Sequence, residues 1–240
     1  MTSNQQRLVL DIETIGEKFD DLDKATKENL TRWIEKAAED KDEYNRLLDD
    51  LKNGLGFSPL TGQIVAIGVL DIDKDKGGVY FQSPGKKQER FDENGITFES
   101  LTEEGILKKF WEIASKYQIF VTFNGRAFDV PFMMVRSAVN KIIPSKNLMF
   151  SRYLYQQHSD SIHIDLHDQL SFQGAVRRKG SLHLWSRALG IKSPKAEGIT
   201  GDDVNFLFSK KKYLEIAKYN VGDLVATKEL FKIWETYFNI

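Results

Sequence analysis

The apolar positions along the chain fall into two rhythms. Short runs that are continuous or alternate every second residue predict strands: Leu8-Val9-Leu10, Gln63 to Ile72, Val79-Tyr80-Phe81, Ile119 to Phe123 and Ile162 to Leu166. Longer stretches with apolar residues three and four apart predict helices. One is a highly charged segment from Asp23 to Asn53, which Lys41 to Glu43 divides in two and Gly54 and Gly56 terminate. Others run over Leu101 to Tyr117, over Phe128 to Val139 with Pro131 in the first turn, over Leu182 to Leu189 up to Gly190, and over Lys210 to Phe238 with a break expected near Asn220 to Gly222. Gly77-Gly78 reads as a hairpin turn, Asn124-Gly125 as a strand breaker, and Pro84 to Gly95 as a polar loop containing Lys86-Lys87.

A hairpin-linked set of strands followed by a strand reached through a helix implies a mixed α/β sheet. The helical crossover lets Ile119–Phe123 run parallel to the first strand, so that their carboxyl ends share one crevice, where open α/β sheets hold ligands. No repeat or low-complexity linker divides residues 1–240, so a single domain is expected.

Composition adds boundaries. The chain has 240 residues and 41% hydrophobic content, enough for a sizeable core. It has no cysteine, which removes disulfides and thiolate metal sites and fits a cytoplasmic setting. No signal peptide or membrane-length apolar run is visible. A formal net charge of −1 gives no basic field for coating long nucleic acids, which leaves open an enzyme that grips only a chain end.

The candidate chemistry is acidic. Asp11 and Glu13 follow Leu8-Val9-Leu10 and, two apart on a strand, point to one face. Paired buried carboxylates repel one another and invite a hard divalent cation such as Mg²⁺ or Mn²⁺. Asp129 opens the helix after the Asn124-Gly125 break, and taken alone it reads rather as a helix N-cap or first-turn acid. Tyr219 and Asp223 are four apart and share a helix face.

Together these clusters resemble the DEDD 3′→5′ exonuclease family. Asp11-Ile12-Glu13 stands for its D-x-E motif, Asn124 to Phe128-Asp129 for N-x₃-F-D, and Tyr219 to Asp223 for Y-x₃-D. The histidine subclass would carry histidine where Lys218 stands, so the chain resembles the tyrosine subclass. Thr122 to Pro131 is most similar to the proofreading domain of family B DNA polymerases, and with no polymerase segment before Ile240 a stand-alone member is expected. A helical insertion at about 23–53 departs from a minimal family domain; it touches no motif and would shape either substrate access or a partner surface. The resemblance implies a ribonuclease H-like fold with a mixed five-stranded sheet flanked by helices. It implies two divalent ions, Mg²⁺ or Mn²⁺, roughly 4 Å apart. Asp11 would bridge them, Glu13 and Asp223 would complete one site, and Asp129 would hold the other ion. Tyr219 would orient the attacking water. Ile12, Thr14, Asn124 and Phe128 would contact a frayed single-stranded DNA 3′ end, with a replication or repair polymerase as partner in trans. An exoribonuclease with the same carboxylates, or a silent nucleic-acid- or partner-binding module, are the alternatives.

Weaker signals complete the reading. His163, His167, Asp165 and Asp168 could suggest zinc, although a strand gives their spacing no helical meaning. Arg177-Arg178-Lys179 and Lys210-Lys211-Lys212 are short basic runs suited to phosphate contacts or to a solvated face. Asp202-Asp203 are expected to cap a short helix.

Overall fold

The computed structural model describes residues 5–86, 88–177, 179–192 and 203–239. Its centre is a seven-stranded sheet. The strands are β1 (Arg7–Gly16), β2 (Gly62–Asp71), β3 (Lys76–Phe81), β4 (Phe91–Glu93), β5 (Ile96–Ser100), β6 (Ile119–Thr122) and β7 (Ile162–Asp165), in the spatial order β4-β5-β3-β2-β1-β6-β7. The pairs β1/β2, β2/β3 and β4/β5 are antiparallel, and β3/β5, β1/β6 and β6/β7 are parallel. This is the α/β, ribonuclease H-like arrangement expected, with seven strands in place of five. The extra pair, β4 and β5, lies at the far edge, where β4 falls inside the stretch read as loop. Three residues are too few to show a period, and Ile96 and Phe98 face inward only because β3 lies beside them.

The hairpin between β2 and β3 turns one step earlier than Gly77-Gly78 suggests. The turn is Ile72 to Asp75, with Asp75 at φ 52°. Both glycines lie within β3. At Gly77 a Cβ would fall 2.2 Å from the Val69 carbonyl oxygen, so close strand approach accounts for that glycine.

The sheet is covered on both faces. Leu8, Leu10 and Ile12 of β1 pack with Phe120 of β6 and with α3 (Glu103–Ala114) and α4 (Asp129–Val139) through Phe110, Phe132 and Met133. Val9 and Ile15 belong to the opposite core, built on α8 (Tyr213–Tyr237) through Ile216, Leu224 and Phe231. Helix α8 is continuous: the break expected at Asn220 to Gly222 does not occur, because tertiary packing on the sheet outweighs the local helix cost of glycine. The charged segment forms α1 (Lys24–Ala37) and α2 (Lys41–Gly54), with Asp23 and Asp40 as N-caps whose carboxylates accept from Thr26 N and Glu43 N. The remaining helices are α5 (Leu166–Leu170), α6 (Leu182–Ala188) and α7 (Val204–Ser209).

A buried ion pair ties the α3–α4 layer to the sheet. Arg136 of α4 donates twice to Glu103, at 2.8 and 2.7 Å, and the same carboxylate accepts from Asn140 Nδ2 and from the Ile64 amide. That amide lies beside the register shift between β1 and β2. Removing one member strands the other in a water-poor site. Glu103→Ala is therefore expected to lower the unfolding free energy by about 3 kcal/mol, against under ~0.5 kcal/mol for breaking the exposed Lys108–Glu104 pair with Glu104→Ala. Urea unfolding curves check both values, and similar losses for the two variants would show that burial does not set the strength of the pair.

Candidate active site

The site begins at the carboxyl end of β1. Asp11 and Glu13 share the face that meets α8, and one helical turn of α8 brings Tyr219 and Asp223 opposite them. One oxygen each from Asp11, Glu13 and Asp223 lie within 4.8 Å of one another. Asn220 fixes this approach: its Nδ2 donates to Asp11 Oδ2 at 2.7 Å and to Glu13 Oε1 at 3.4 Å. The amide fits because β2 presents Gly68 directly across from Asp11. A Cβ there would lie 1.8 Å from Asn220 Oδ1 and 2.7 Å from Leu224 Cδ1. Asn220 and Gly68 are the functional positions that sequence reasoning passed over. An asparagine amid the apolar positions of a helix was the available signal for the first.

Asp129 arrives from the neighbouring strand. β6 runs parallel to β1 and ends at Thr122, and the chain then reverses through Asn124, whose φ of 68° is tolerated by asparagine. Asp165, at the end of β7, accepts from the amides of Asn124 (2.8 Å), Arg126 (2.9 Å) and His167 (3.0 Å) and so holds the turn. It too was missed as a positioning residue. The turn sets Asp129 at the start of α4, where its Oδ1 accepts from the Ile12 amide at 3.1 Å. That bond joins the second acidic cluster to the first.

Burial and mutual repulsion dominate the electrostatics. Burial first, then the charges of Asp129, Asp223 and Glu13, push the Asp11 carboxyl well above its ordinary value. Burial and Asp223 do the same to Glu13, opposed by the Asn220 hydrogen bond. Asp129 is pushed up to about 7, chiefly by burial, although two backbone amides stabilise its charge. The Tyr219 phenol is raised far above its usual range by burial and by Asp223, Glu13 and Asp11, and is hydrogen-bonded to Asp223. A hard divalent cation fits this donor set: the ligands are carboxylate oxygens, close together, and short of positive charge.

These side chains line a cleft of about 640 Å³. All nine residues singled out in the sequence lie on it: Asp11, Ile12, Glu13, Thr14, Asn124, Phe128, Asp129, Tyr219 and Asp223. The helical insertion borders the cleft as well. Asp50, Asn53 and Gly54 of α2 and Gly56 and Phe57 of the following turn line the cleft. The Thr14 hydroxyl donates to the Gly56 carbonyl at 2.7 Å, and the Phe57 and Phe128 rings meet edge to face at 6.4 Å. A charged helical segment closes on the sheet through its apolar end, which its charge pattern conceals.

The zinc alternative does not assemble. Among the described residues, Asp11, Glu13 and Asp223 are the group of acids placed to share an ion. His163 is a core residue: Nδ1 faces the Leu148 carbonyl at 3.0 Å and Nε2 the Thr122 hydroxyl at 2.8 Å, and burial pushes it down to about 4. Asp168 pairs with Arg152, and His167 packs edge to face on Phe123. Of the basic runs, Lys212 pairs with Glu215 and Lys210 stands over the Phe206 ring. Asp203 precedes α7 but makes no capping bond. Lys87, Arg178 and Asp202 lie outside the described residues.

Residues 59–236 match a family model described as "Predicted 3'-5' exonuclease related to the exonuclease domain of PolB". DNA polymerase 1 of Saccharolobus solfataricus is 24% identical over 235 residues, covering 92% of this chain and 26% of that protein. DNA polymerase 1 of Sulfurisphaera ohwakuensis is 23% identical over 177 residues, covering 70% of this chain and 20% of that one. The chain thus spans about a quarter or less of these relatives. The family B DNA polymerase of Pyrobaculum calidifontis superposes with a TM-score of 0.57 at 14% identity, over 98% of this chain and 25% of its own, a likeness of fold.

The raised carboxylates have a consequence for stability. Asp129 has a folded-state value of about 7, against roughly 4 in an unfolded chain. Between these pH values the folded chain keeps protons that the unfolded chain releases, so stability falls as pH rises. In chelator, the melting temperature is expected to drop by roughly 5 °C or more from pH 5 to pH 8. Millimolar Mg²⁺ or Mn²⁺ should restore it at pH 8 and change it little at pH 5. Calorimetric scans check this, and a flat or rising profile with no response to metal would count against it.

Proposed function

The chain belongs to the family of predicted 3′→5′ exonucleases related to the exonuclease domain of PolB, and from that membership we propose that it hydrolyses phosphodiester bonds from the 3′ end of single-stranded DNA and releases nucleoside monophosphates. The observation that carries this reading is the convergence of Asp11, Glu13 and Asp223 within 4.8 Å, with Asp129 bonded to the same strand through the Ile12 amide. We take residues 1–240 as one exonuclease domain of the tyrosine subclass, acting in the cytoplasm on 3′ ends left by a DNA polymerase. That setting is supported by the name borne by the relatives.

Asp11, Glu13, Asp129 and Asp223 would hold two divalent ions, Mg²⁺ or Mn²⁺. When bound, such ions supply an activated water and charge stabilisation for the phosphate and the leaving 3′-oxygen. The chain's own groups do the rest. In the reaction the water oxygen bonds to phosphorus, the bond from phosphorus to the 3′-oxygen breaks, and a proton ends on that 3′-oxygen. Tyr219 stays neutral, because burial and the surrounding carboxylates disfavour a phenolate. It therefore orients the attacking water by hydrogen bonding and does not act as a free base. Asn220 holds Asp11 and Glu13 in register with α8. Phe128, Ile12, Thr14 and Asn124 border the terminal nucleotide, and the Thr14 hydroxyl, already donating to Gly56, offers only its lone pairs.

The test uses 5′-labelled single-stranded DNA and the matching RNA, with Mg²⁺ or Mn²⁺ and a chelator control. A ladder shortening from the 3′ end of the DNA is expected. Asp11→Ala should abolish it, and Tyr219→Phe should slow it about 10²-fold without changing the melting temperature in chelator. Degradation of RNA alone would reassign the substrate, and no degradation of either with any metal would refute the enzymatic reading.

A further inference from the structure

The cleft has an unusual lining for a site that receives a polyanion. Asp11, Glu13, Asp50, Asp129 and Asp223 line it, and among the described residues no lysine or arginine does. Phosphate–cation pairing, the usual source of nucleic-acid affinity, is therefore missing from the described part of its walls. In its place stand phenylalanines. Besides Phe128 and Phe123 at the second motif, the cleft carries Phe57 and Phe206, which are 59% exposed each.

Neither ring belongs to a motif, and both are anchored to the end of β1. Gly56, the residue before Phe57, accepts the Thr14 hydroxyl at 2.7 Å. Asn205, the residue before Phe206, accepts the Gly16 amide through Oδ1 at 3.1 Å. Asp11 and Glu13 lie on the same strand, so both rings are set relative to the carboxylates by short, rigid connections. Phe57 meets Phe128 edge to face, which leaves its own surface open to the cleft. Phe206 has the Lys210 ammonium 5.4 Å from its centroid, which puts a positive charge at the rim of this wall.

We propose that Phe57, delivered by the helical insertion, and Phe206, delivered by α7, form a stacking subsite for the last unpaired nucleobases of the strand. This rests on the exonuclease reading and adds how the end is gripped: by base stacking, which tolerates any sequence, requires unpaired bases, and does without cations in the cleft. The insertion is then part of substrate recognition.

The test couples each ring to the base it would stack on. Affinity is read by fluorescence anisotropy with Ca²⁺ in place of Mg²⁺, using 5′-fluorescein oligothymidylate whose two 3′-terminal nucleotides either carry their bases or are abasic. Wild type is expected to lose about tenfold in affinity when those bases are removed. Phe57→Ala and Phe206→Ala should each lose a comparable factor on the intact strand and little more on the abasic one, while Phe57→Tyr should retain binding. Both rings are exposed, so unchanged melting temperatures confirm folded variants. Equal sensitivity of wild type and variants to base removal would overturn the subsite. If coupling is present and no cleavage occurs in Mg²⁺ or Mn²⁺, the subsite stands and the exonuclease reading fails. If cleavage occurs without coupling, the reverse holds.

Discussion

Asn220 occupies a fully buried position on α8 where the stripe that packs on the sheet would otherwise take an apolar residue. Its Nδ2 makes charge-assisted bonds to Asp11 and Glu13, each worth roughly 1.5–3 kcal/mol. Its Oδ1 has no partner among the described residues, which costs about 1–3 kcal/mol. The two bonds together outweigh that cost, so the amide adds modestly to stability. What it fixes is register: it sets α8 along β1, and α8 carries Tyr219 and Asp223. Gly68 makes the seat possible, since any side chain there would occupy the space of the amide. The geometry of the acidic cluster thus depends on one small residue in β2 and one polar residue in α8.

Around that seat the fold concentrates negative charge and withholds what would neutralise it. Asp11, Glu13 and Asp129 are each driven toward the protonated form chiefly by burial, and the Asp223 charge adds to all three. Elsewhere the protein pairs its charges. Arg136 and Glu103 hold α4 and α3 to β2, and Arg7 reaches both Glu235 of α8 and Asp73 of the β2–β3 turn. Electrostatic repulsion is thus concentrated in the cleft, where a cation would relieve it.

Much of this was legible in the sequence, for identifiable reasons. Acids two apart at the end of an apolar strand must share a face, and Tyr219 and Asp223 four apart must share a helix face, so local periodicity suffices to orient them. The parallel pairing of β6 with β1 follows from the helical crossover. What escaped depends on contacts between distant segments. β4 and β5 are too short and too near an edge to announce themselves. Gly77-Gly78 answers close strand packing and not a turn, and Asn220 and Gly222 suggest a helix end that the core overrides. The role of the insertion stayed open between substrate access and a partner surface because its charges dominate its composition, whereas Gly56 and Phe57 at its exit reach Thr14 and Phe128. Asp165 read as a metal candidate because the amides that occupy it lie some forty residues away.

The central claim is that the buried carboxylates form a divalent-cation site. The most direct measurement is calorimetric titration of Mn²⁺ at pH 7 in two buffers of different ionisation enthalpy, on the wild type and on Asp11→Asn. The account expects saturable binding with net proton release in the wild type, because Asp129, pushed up to about 7, holds part of its proton at that pH. It expects binding to be lost or severely weakened in the variant. Absence of saturable heat in the wild type, or binding without proton release that the variant retains, would contradict it.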